Sequence, residues 1–416
     1  MRILIVNTSE RTGGAAVAAN RLMQALNAHG VKAKMLVREK LSDQLTVVAH
    51  PQQRRLRWAF LWERLMIWMR LRFRRERLFD IDTGYCGADI TQLPEFREAD
   101  IIHLHWINQG MLSLQQLRKV LDTGKPVVWT MHDIWPATAI CHLTLDCRRF
   151  EQQCGHCRLL PGDSENDLST AVWRRKQQLL ADRQIAFVAC SQWLAGEARR
   201  SALLKNQMVS SIPNPIDSHL YKPGDQRAAR QALGLPTEGR MILFVSQRAT
   251  NPYKGMPYLI EACHQLANDL PADTFVAILG GHAEELVQQL PFKTYALGYV
   301  NDEHRIAQVY QAADVFVLPS LSENLPTTII EAMACGVPCI GFRVGGIPEE
   351  IEHRKTGYVA DYRNANDLAA GLRWVLCEAD REALSKACVS KVAQCYSQQS
   401  VAQQYIKLYQ NLLHED

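Results

Sequence analysis

The sequence lacks an apolar segment that could cross a bilayer, because no stretch reaches the roughly 18 uncharged apolar residues that a spanning helix needs. Internal repeats and low-complexity tracts are also missing. The opening residues, MRILIVNTSERTGG, contain an apolar run of only about five residues and no cleavage-site pattern, so they predict a first strand rather than a signal peptide. These absences argue against a repeat array and a spanning protein, and they predict a cytoplasmic chain.

A strong net charge is missing as well. The 416 residues carry a formal net charge of +4. Residues 54–77 alone contain nine arginines and two glutamates, a charge of +7, so the other residues sum to −3. The basic character is therefore local, which argues against a nucleic-acid-binding protein.

What the sequence does contain is a regular alternation of short β-branched runs with helix-length amphipathic segments. This alternation predicts an α/β fold with parallel sheets built from βαβ units. The predicted strands of a first sheet are residues 3–6, 33–37, 100–104, 127–130 and 185–189, and those of a second sheet are residues 241–245, 275–279, 314–318 and 339–342.

A turn-rich break, Pro213-Asn214-Pro215, separates the two series and predicts a domain boundary there. We expect an N-terminal domain over residues 1–212 and a C-terminal domain over residues 213–396. The last helical stretch, 397–416, has no partner strand and is expected to pack back on the first domain. Two doubly wound sheets facing each other across a cleft would place ligands at the carboxyl ends of their strands.

Two glutamates follow the predicted strand 314–318, in SLSENLPTTIIEAMACGVPCIGF. Pro326 and Thr327 suit the first turn of a helix, so Glu323 is expected in the preceding loop and Glu331 about one turn inside the helix. Helix N-termini attract anions and carboxylates accept hydrogen bonds from hydroxyls, so this pair suits a ligand with phosphates and sugar hydroxyls. On spacing alone, a capped surface helix with two solvated carboxylates is the alternative.

Residues 322–338 resemble the E-x7-E signature of the retaining, two-domain (GT-B) glycosyltransferases of family 4. Arg248 after the strand 241–245, followed by Lys254-Gly255, resembles the Arg and Lys-Gly pair of that family. Gly13-Gly14 follows the first strand, as in the donor-side loop of the family. The likeness covers essentially the whole chain and is weakest between about residues 42 and 89.

The resemblance implies a nucleoside-diphosphate sugar as donor, transferred with retention by front-face attack and without a metal cofactor for the chemistry. Arg248 offers a bidentate fork and Lys254 a point charge, and both suit the oxygens of a leaving diphosphate. Glu331 would bind the ribose hydroxyls. Asn324, which stands where many members have Gly, would help Glu323 to hold the donor sugar.

The resemblance also implies that the domain over residues 1–212 binds the acceptor and the domain over residues 213–396 binds the donor, and it assigns site residues in both. His132, after the strand 127–130, is the expected contact for the sugar or acceptor, and His103 and His105 are expected near the same rim. The expected catalytic residues are His132, Arg248, Lys254 and Glu323, and the expected donor-binding residues are Gly13, Gly14, Arg248, Lys254, Val300, Glu323, Asn324, Leu325, Pro326, Thr327 and Glu331.

Four of the twelve cysteines crowd into CHLTLDCRRFEQQCGHC: Cys141, Cys147, Cys154 and Cys157. The C-x2-C pair plus two further thiols could close a structural zinc site, with His142 and His156 as spare ligands. In a cytosolic chain a disulfide is the weaker interpretation, and buried small side chains are the simplest one for the other eight cysteines. The cluster resembles one found in a subgroup of family 4 enzymes from bacterial exopolysaccharide gene clusters, including colanic-acid-type ones.

The arginine-rich segment 54–77 is amphipathic at helical spacing, with Trp58, Trp62, Leu65, Met69 and Phe73 on one predicted face. A helix packed on the first sheet with an arginine-rich outer side is one interpretation. Docking on an anionic membrane surface is another, with the apolar face in the acyl boundary and arginines on the headgroups. A nucleic-acid-binding surface is the third, which the low net charge of the rest of the chain disfavours. Docking fits an acceptor glycan carried on polyprenyl diphosphate and a location at the inner face of the cytoplasmic membrane.

Two other classes of function are compatible with the same architecture. A sugar-nucleotide epimerase would turn over without an acceptor, and a phosphorylase would need inorganic phosphate. A non-catalytic membrane adaptor would bind liposomes without donor hydrolysis. The expected function is nevertheless sugar transfer in bacterial exopolysaccharide, capsule or O-antigen biosynthesis, because the two glutamates, the two cations and His132 occur together.

Overall fold

The computed structural model describes residues 1–414, and the last two residues of the predicted helix 397–416 lie outside the described residues. The chain forms two compact units. The first contains Met1–Pro215 together with the chain from Val401 onward, and the second contains Ile216–Ser400. The chain therefore passes between units within three residues of the expected break at 212/213.

The first unit is built on a seven-stranded parallel sheet with strand order β3-β2-β1-β4-β5-β6-β7. Its strands are β1 (Arg2–Ser9), β2 (Lys32–Glu39), β3 (Val47–Ala49), β4 (Ile101–Leu104), β5 (Val127–Met131), β6 (Ala186–Ala189) and β7 (Met208–Ser211). Its helices are α1 (Gly14–Ala28), α2 (Gln53–Arg70), α3 (Pro94–Glu98), α4 (Leu114–Leu121), α5 (Leu168–Leu180) and α6 (Gln192–Arg200).

The second unit is built on a six-stranded parallel sheet with strand order β10-β9-β8-β11-β12-β13. Its strands are β8 (Met241–Arg248), β9 (Phe275–Gly281), β10 (Lys293–Gly298), β11 (Val315–Leu318), β12 (Cys339–Phe342) and β13 (Gly357–Ala360). Its helices are α7 (Gln226–Leu233), α8 (Met256–Gln265), α9 (Glu303–Ala312), α10 (Thr327–Ala334), α11 (Ile347–Glu350), α12 (Ala365–Arg373) and α13 (Arg381–Cys395).

The predicted class, two doubly wound parallel sheets of Rossmann type, is confirmed. Each predicted strand is present, and four further strands complete the sheets. Three of these, β3, β7 and β10, lie at sheet edges and are only partly buried, so their sequences lack the continuous apolar run that marks a central strand. The fourth, β13, is also an edge strand, and it is short and begins with glycine.

Each sheet is covered on both faces, which explains the apolar runs of its strands. In β1, Leu4 and Val6 pack in one buried cluster while Ile3 and Ile5 pack in another, because successive strand residues point to opposite faces. A last helix, α14 (Gln398–His414), packs on the second of these faces. Its buried face carries Tyr405 and Tyr409.

Helix α2 accounts for most of the arginine-rich segment, and it ends before the segment does. Arg72 and Phe73 take φ values of 52° and 66°, which no α-helix accommodates. Phe73 therefore lies beyond the helix, and its predicted place on the helical face is wrong. Among residues 1–414, no helix combines the length and the apolar character that crossing a membrane requires.

Helix α2 buries apolar and charged side chains together and exposes its tryptophans. Its buried residues include the ion pair Glu63 and Arg64. Trp58 and Trp62 are 72% and 57% exposed, respectively. The helix nevertheless packs on the first sheet through Leu56 and Ile67, with an arginine-rich outer side, as the first interpretation of this segment has it. Its tryptophan face is exposed.

Candidate active site

The first cation of the predicted donor site ends a central strand of the second unit. Arg248 is the last residue of β8 and is exposed. Its Nε donates a hydrogen bond to the Oγ1 atom of Thr250 at 3.1 Å. No described carboxylate forms an ion pair with it, so its guanidinium charge is available to an anionic ligand.

The second cation, Lys254, lies in a single helical turn between β8 and α8. Gly255 follows it in the left-handed conformation, with φ of 70°. A Cβ atom on Gly255 would lie 1.7 Å from the carbonyl oxygen of Pro319, so this turn packs directly on the loop after β11. Glycine is therefore required next to Lys254, as the Lys-Gly pair of the sequence indicates.

The loop between β11 and α10 carries the first glutamate. The Lys254 ammonium forms an ion pair with the Oε1 atom of Glu323, and the hydroxyl of Ser320 donates to the same atom at 2.9 Å. The Glu323 side chain is 13% exposed and that of Lys254 is 28% exposed. The carboxylate is thereby held in one orientation at the edge of the sheet.

A glycine turn after β12 supports the same loop from the other side. Gly345 has φ of 57°, and a Cβ atom there would lie 1.7 Å from the carbonyl oxygen of Glu323. The amide of Gly346 donates to the carbonyl oxygen of Asn324 at 2.8 Å. The backbone of residues 323–324 is thus fixed by a close approach that only glycine permits.

Helix α10 begins at Thr327 with Pro326 as its N-cap residue, as the sequence predicts. Glu331 therefore lies one turn inside the helix and is 7% exposed. The buried hydroxyl of Tyr310, from α9, donates to the Oε2 atom of Glu331 at 3.1 Å. Tyr310 could not be predicted as a partner of Glu331, because α9 and α10 are separate amphipathic segments.

The remaining donor-side residues lie at the same edge of the second sheet. Leu325 is buried, and Val300 is half-buried just after β10, which ends at Gly298 with φ of 69°. The carboxyl ends of parallel strands share one edge. The structure thus brings the two cations, both glutamates and Val300 to one edge of this unit.

In the first unit, Gly13 and Gly14 lie at the N-terminus of α1 after β1. Gly13 has φ of 90° and is exposed, and a Cβ atom on either glycine would meet nothing within 4 Å. The space is therefore open for a ligand to approach the backbone amides.

His132 follows β5 and shares a hydrogen bond of 2.8 Å with His105, which follows β4. Its Nδ1 atom is 3.5 Å from the thiol sulfur of Cys190. Burial lowers the pKa of His132 to about 4, with Asp133 raising it only in part. His132 is accordingly a neutral imidazole that orients partners by hydrogen bonding.

His103 has a structural role instead, and its expected place at the rim is wrong. It is fully buried within β4. Its two ring nitrogens lie 2.7 Å from the hydroxyls of Thr130 and Tyr409. The Tyr405 hydroxyl lies 2.8 Å from the hydroxyl of Thr130. These hydrogen bonds join helix α14 to the first sheet.

A buried ionic network not predicted from the sequence lies beside His132. His142 bridges two carboxylates, with Nδ1 2.8 Å from Asp133 and Nε2 2.8 Å from Asp82. Burial lowers the pKa of His142, but the two carboxylates outweigh it and raise the pKa to about 10. Arg64 of α2 pairs with Asp82, and the indole of Trp106 donates to Asp133 at 3.0 Å. The network thus ties α2 to the loop after β5.

The four clustered cysteines are free thiols in one neighbourhood. Burial raises the pKa of Cys141 to about 11 and that of Cys154 to about 12, and the neighbouring thiols add to both shifts. No three of the four sulfurs lie within 4.8 Å of one another in the described chain. A tetrahedral zinc ion with Zn–S bonds of about 2.3 Å would need them closer, so a structural zinc site stays a prediction.

The expected spare ligands of that site have carboxylate partners in the structure. His142 bridges Asp82 and Asp133 as described, and His156 pairs with Asp163 at 2.5 Å. Within residues 1–414, the one group of three ligating side chains at metal spacing is His282, Glu284 and Glu285. That group is exposed, and exposed acidic groups commonly occur without a metal.

Two family models match the chain, one for each unit. Residues 12–220 match the model described as Glycosyltransferase Family 4, and residues 225–389 match the model described as Glycosyl transferases group 1. The first match covers 209 of the 416 residues, which is just over half of the chain.

Curated relatives with similar sequences include a D-inositol 3-phosphate glycosyltransferase of Catenulispora acidiphila, 31% identical over 292 residues. That alignment covers 67% of this chain and 62% of the relative. N-acetyl-alpha-D-glucosaminyl L-malate synthase of Bacillus anthracis is 24% identical over 217 residues, 51% of this chain and 56% of the relative. The chain thus spans less than two thirds of the length of these relatives.

Solved structures with a similar fold include the sucrose-phosphate synthase of Thermosynechococcus elongatus, with a TM-score of 0.67 at 18% identity over the full length of both chains. Anabaena HepE in complex with UDP has a TM-score of 0.64 at 18% identity and covers 99% of this chain and 100% of its own. These likenesses and the two parallel-sheet units define the GT-B class of glycosyltransferase folds. The chain belongs to the glycosyltransferase family that the two matching models describe.

Proposed function

We propose that the chain transfers a sugar from a nucleoside-diphosphate sugar to an acceptor hydroxyl. The observation that carries the proposal is the Lys254–Glu323 ion pair beside the exposed Arg248 at the carboxyl end of the second sheet. As the sugar leaves, negative charge develops on the diphosphate. Two preorganised cations at this edge would stabilise that charge, which is usually a large catalytic contribution.

The other residues of this edge take complementary roles in the proposal. Glu331, oriented by Tyr310, accepts hydrogen bonds from the ribose hydroxyls, and Glu323 with the backbone of residues 324–326 holds the donor sugar. Front-face attack with retention follows from the family resemblance, with the donor phosphate helping to deprotonate the acceptor. His132 positions hydroxyl groups as a neutral imidazole, and no metal is assigned to the reaction.

We assign the acceptor to the class of glycans carried on polyprenyl diphosphate, as used in exopolysaccharide, capsule or O-antigen biosynthesis, and place the protein on the cytoplasmic face of the membrane. The support is the outward apolar face of α2. Relatives named for inositol phosphate and malate provide the competing class of small soluble acceptors.

The proposed docking on an anionic membrane rests on two properties of α2. Its exposed apolar side chains recur every three or four residues along one face: Trp58, Leu61, Trp62, Leu65 and Met69. Eight of the nine arginines in residues 54–77 are exposed, and none of these eight pairs with a described carboxylate. If a second copy of the chain packed here, its eight exposed arginines would repel the eight of the first copy. Anionic lipids would instead attract these arginines.

Donor turnover tests the enzymatic proposal. Purified protein is incubated with UDP-, GDP- and dTDP-sugars, with and without soluble sugar acceptors and phosphate, and free nucleoside diphosphate is measured. We expect release with one nucleotide class, and a loss of at least 100-fold in Lys254→Ala but not in the exposed control Lys205→Ala. Conversion of the sugar nucleotide without release of nucleoside diphosphate would indicate an epimerase. Turnover that depends on phosphate would indicate a phosphorylase, and the absence of turnover would indicate an adaptor.

Vesicle sedimentation tests the docking proposal. We expect the protein to bind phosphatidylglycerol vesicles and to lose at least tenfold in affinity in Trp58→Ala/Trp62→Ala. The matched control is Trp193→Ala, at a tryptophan that is 38% exposed on α6. Equal binding by the α2 variant and the control would contradict docking through α2, and concentration-dependent dimers lost in the α2 variant would replace it with self-association.

A further inference from the structure

A pocket of about 420 Å³ lies beside α2 in the first unit. Its walls are one side of α2, the segment 83–86 and the first turns of α5. Trp62 and Met66 of α2 and Leu168 of α5 give it an apolar lining. Its volume falls within the range of small-molecule sites, about 300–1,000 Å³.

The pocket is continuous with the exposed apolar face of α2, because Trp62 belongs to both. Ile67, one turn further along the helix, forms part of the lining and is fully buried. An apolar chain that contacts the outer face of α2 can therefore continue inward along Trp62 and Met66 to Ile67. This continuity favours an elongated hydrocarbon over a compact polar ligand.

Two guanidinium groups, those of Arg70 and Arg175, also line the pocket. Arg175 lies over the ring of Tyr85 at 4.1 Å, which holds the guanidinium in place by a cation–π contact. Neither arginine forms an ion pair with a described carboxylate. Arginine recognises phosphate oxygens through its planar fork, so both side chains suit a phosphate.

The two carboxylates that line the pocket are engaged elsewhere. Glu63 accepts from the hydroxyl of Thr83 at 2.7 Å and from the amide of Gly84 at 3.0 Å, and burial raises its pKa. Asp167 caps α5 and accepts from the amide of Thr170 at 3.0 Å. The arginines are therefore the charged groups of the lining that remain for an anionic ligand, beside the uncharged polar side chain of Asn166.

We propose that this pocket receives one hydrocarbon chain of an anionic membrane phospholipid, while Arg70 and Arg175 hold its phosphate. The proposal rests on the proposed docking of α2 and deepens it, since it names the lipid contact. A hydrocarbon chain held in the pocket would anchor the first unit in one orientation on the membrane. The exposed apolar face of α2 alone would not fix that orientation.

The test uses a soluble short-chain lipid, so that pocket binding is measured apart from surface docking. Cys86 lines the pocket and is partly exposed, whereas Cys395 is exposed on α13 in the second unit. Monomeric dihexanoylphosphatidylglycerol, below its micellar concentration, should slow N-ethylmaleimide labelling of Cys86 at least fivefold and leave Cys395 unchanged, as read by peptide mass spectrometry. Inorganic phosphate and dihexanoylphosphatidylcholine should protect at most weakly.

Two variants complete the test. Ala171→Trp fills the pocket and should abolish the protection of Cys86, while Gln177→Trp, exposed on the same helix and outside the lining, should retain it. Absent protection in the unmodified protein, unchanged protection in Ala171→Trp, or equal protection by phosphate alone or by the zwitterionic lipid would each overturn the proposal.

Vesicle binding separates this proposal from the docking on which it rests. Binding of phosphatidylglycerol vesicles without protection of Cys86 would overturn the pocket and leave docking through α2 intact. Protection by the monomeric lipid without vesicle binding would support the pocket and overturn docking.

Discussion

Lys254 and Glu323 are 69 residues apart in the sequence and form one ion pair in the structure. Each side chain follows a central strand of the second sheet, and the parallel arrangement brings both to one edge. The same rule places Arg248 and Val300 there. At the residue scale, the proposed donor site is therefore a consequence of strand order.

Tyr310→Phe tests the positioning of Glu331. The substitution removes the hydroxyl that donates to a buried carboxylate, so we expect a loss of about 1 kcal/mol in the free energy of unfolding. Nucleoside diphosphate affinity should fall about three- to tenfold, because the carboxylate loses its fixed orientation. Denaturant titration and calorimetric binding measure both effects, with Tyr405→Phe in the first unit as the control. Unchanged affinity would contradict the role of Tyr310.

His142→Gln tests the buried network through the pH dependence of stability. The pKa of His142 is about 10 in the folded chain, against an ordinary value of 6.5. Its stabilisation is thus complete below about pH 6.5 and is lost as pH rises toward 10. The stability difference between the wild type and the variant should shrink by about 1 kcal/mol per pH unit within that window. Unfolding curves at pH 6, 7.5 and 9 measure it, and a constant difference would contradict the assignment.

The site residues that follow strands could be predicted from the sequence, whereas the buried partners that hold them in place could not. Glu323 and Glu331 could be placed because a proline and a threonine mark the start of a helix. Tyr310 and Asp82 could not, because nothing local distinguishes a buried polar partner from a solvated side chain. His103 was misplaced because a strand pattern does not reveal that a distant helix supplies Tyr409.

At the element scale, two glycine turns determine where the loops of the second unit lie. Gly255 lets the Lys254 turn reach the loop after β11, and Gly345 lets the turn after β12 reach the carbonyl of Glu323. The central strands could be predicted from their apolar runs, whereas the edge strands β3, β7 and β10 could not. Helix α2 was predicted at the correct position, but its spacing alone did not reveal which side is buried.

Gly345→Ala tests the support of the Glu323 loop. The added Cβ would collide with a backbone carbonyl at 1.7 Å, so the loop must move, and we expect nucleotide binding to be lost. The matched control is Gly234→Ala, where φ is 70° but nothing lies within 4 Å of the added Cβ. The control should cost about 1 kcal/mol in stability, from backbone strain alone, and should bind nucleotide normally. Equal binding by both variants would contradict the role of Gly345.

At the scale of the whole molecule, the two matched family regions, 12–220 and 225–389, correspond closely to the two compact units. The chain carries a net charge of +4, but the excess of positive charge is concentrated around α2 in the first unit. The cations and glutamates of the proposed donor site lie in the second unit. The proposed membrane contact and the proposed donor binding are therefore separable, and each can be tested by variants of its own.

The central claim is that the second unit binds a nucleoside-diphosphate sugar through Glu331 and its neighbours. A thermal-shift panel of UDP-, GDP- and dTDP-sugars, with Glu331→Ala alongside, tests it most directly. One nucleotide class at about 100 times its Kd should stabilise the wild type by about 2.7 kcal/mol, a shift of several degrees in Tm, and the variant should show none. The absence of a shift with any nucleotide, or an equal shift in Glu331→Ala, would contradict the account.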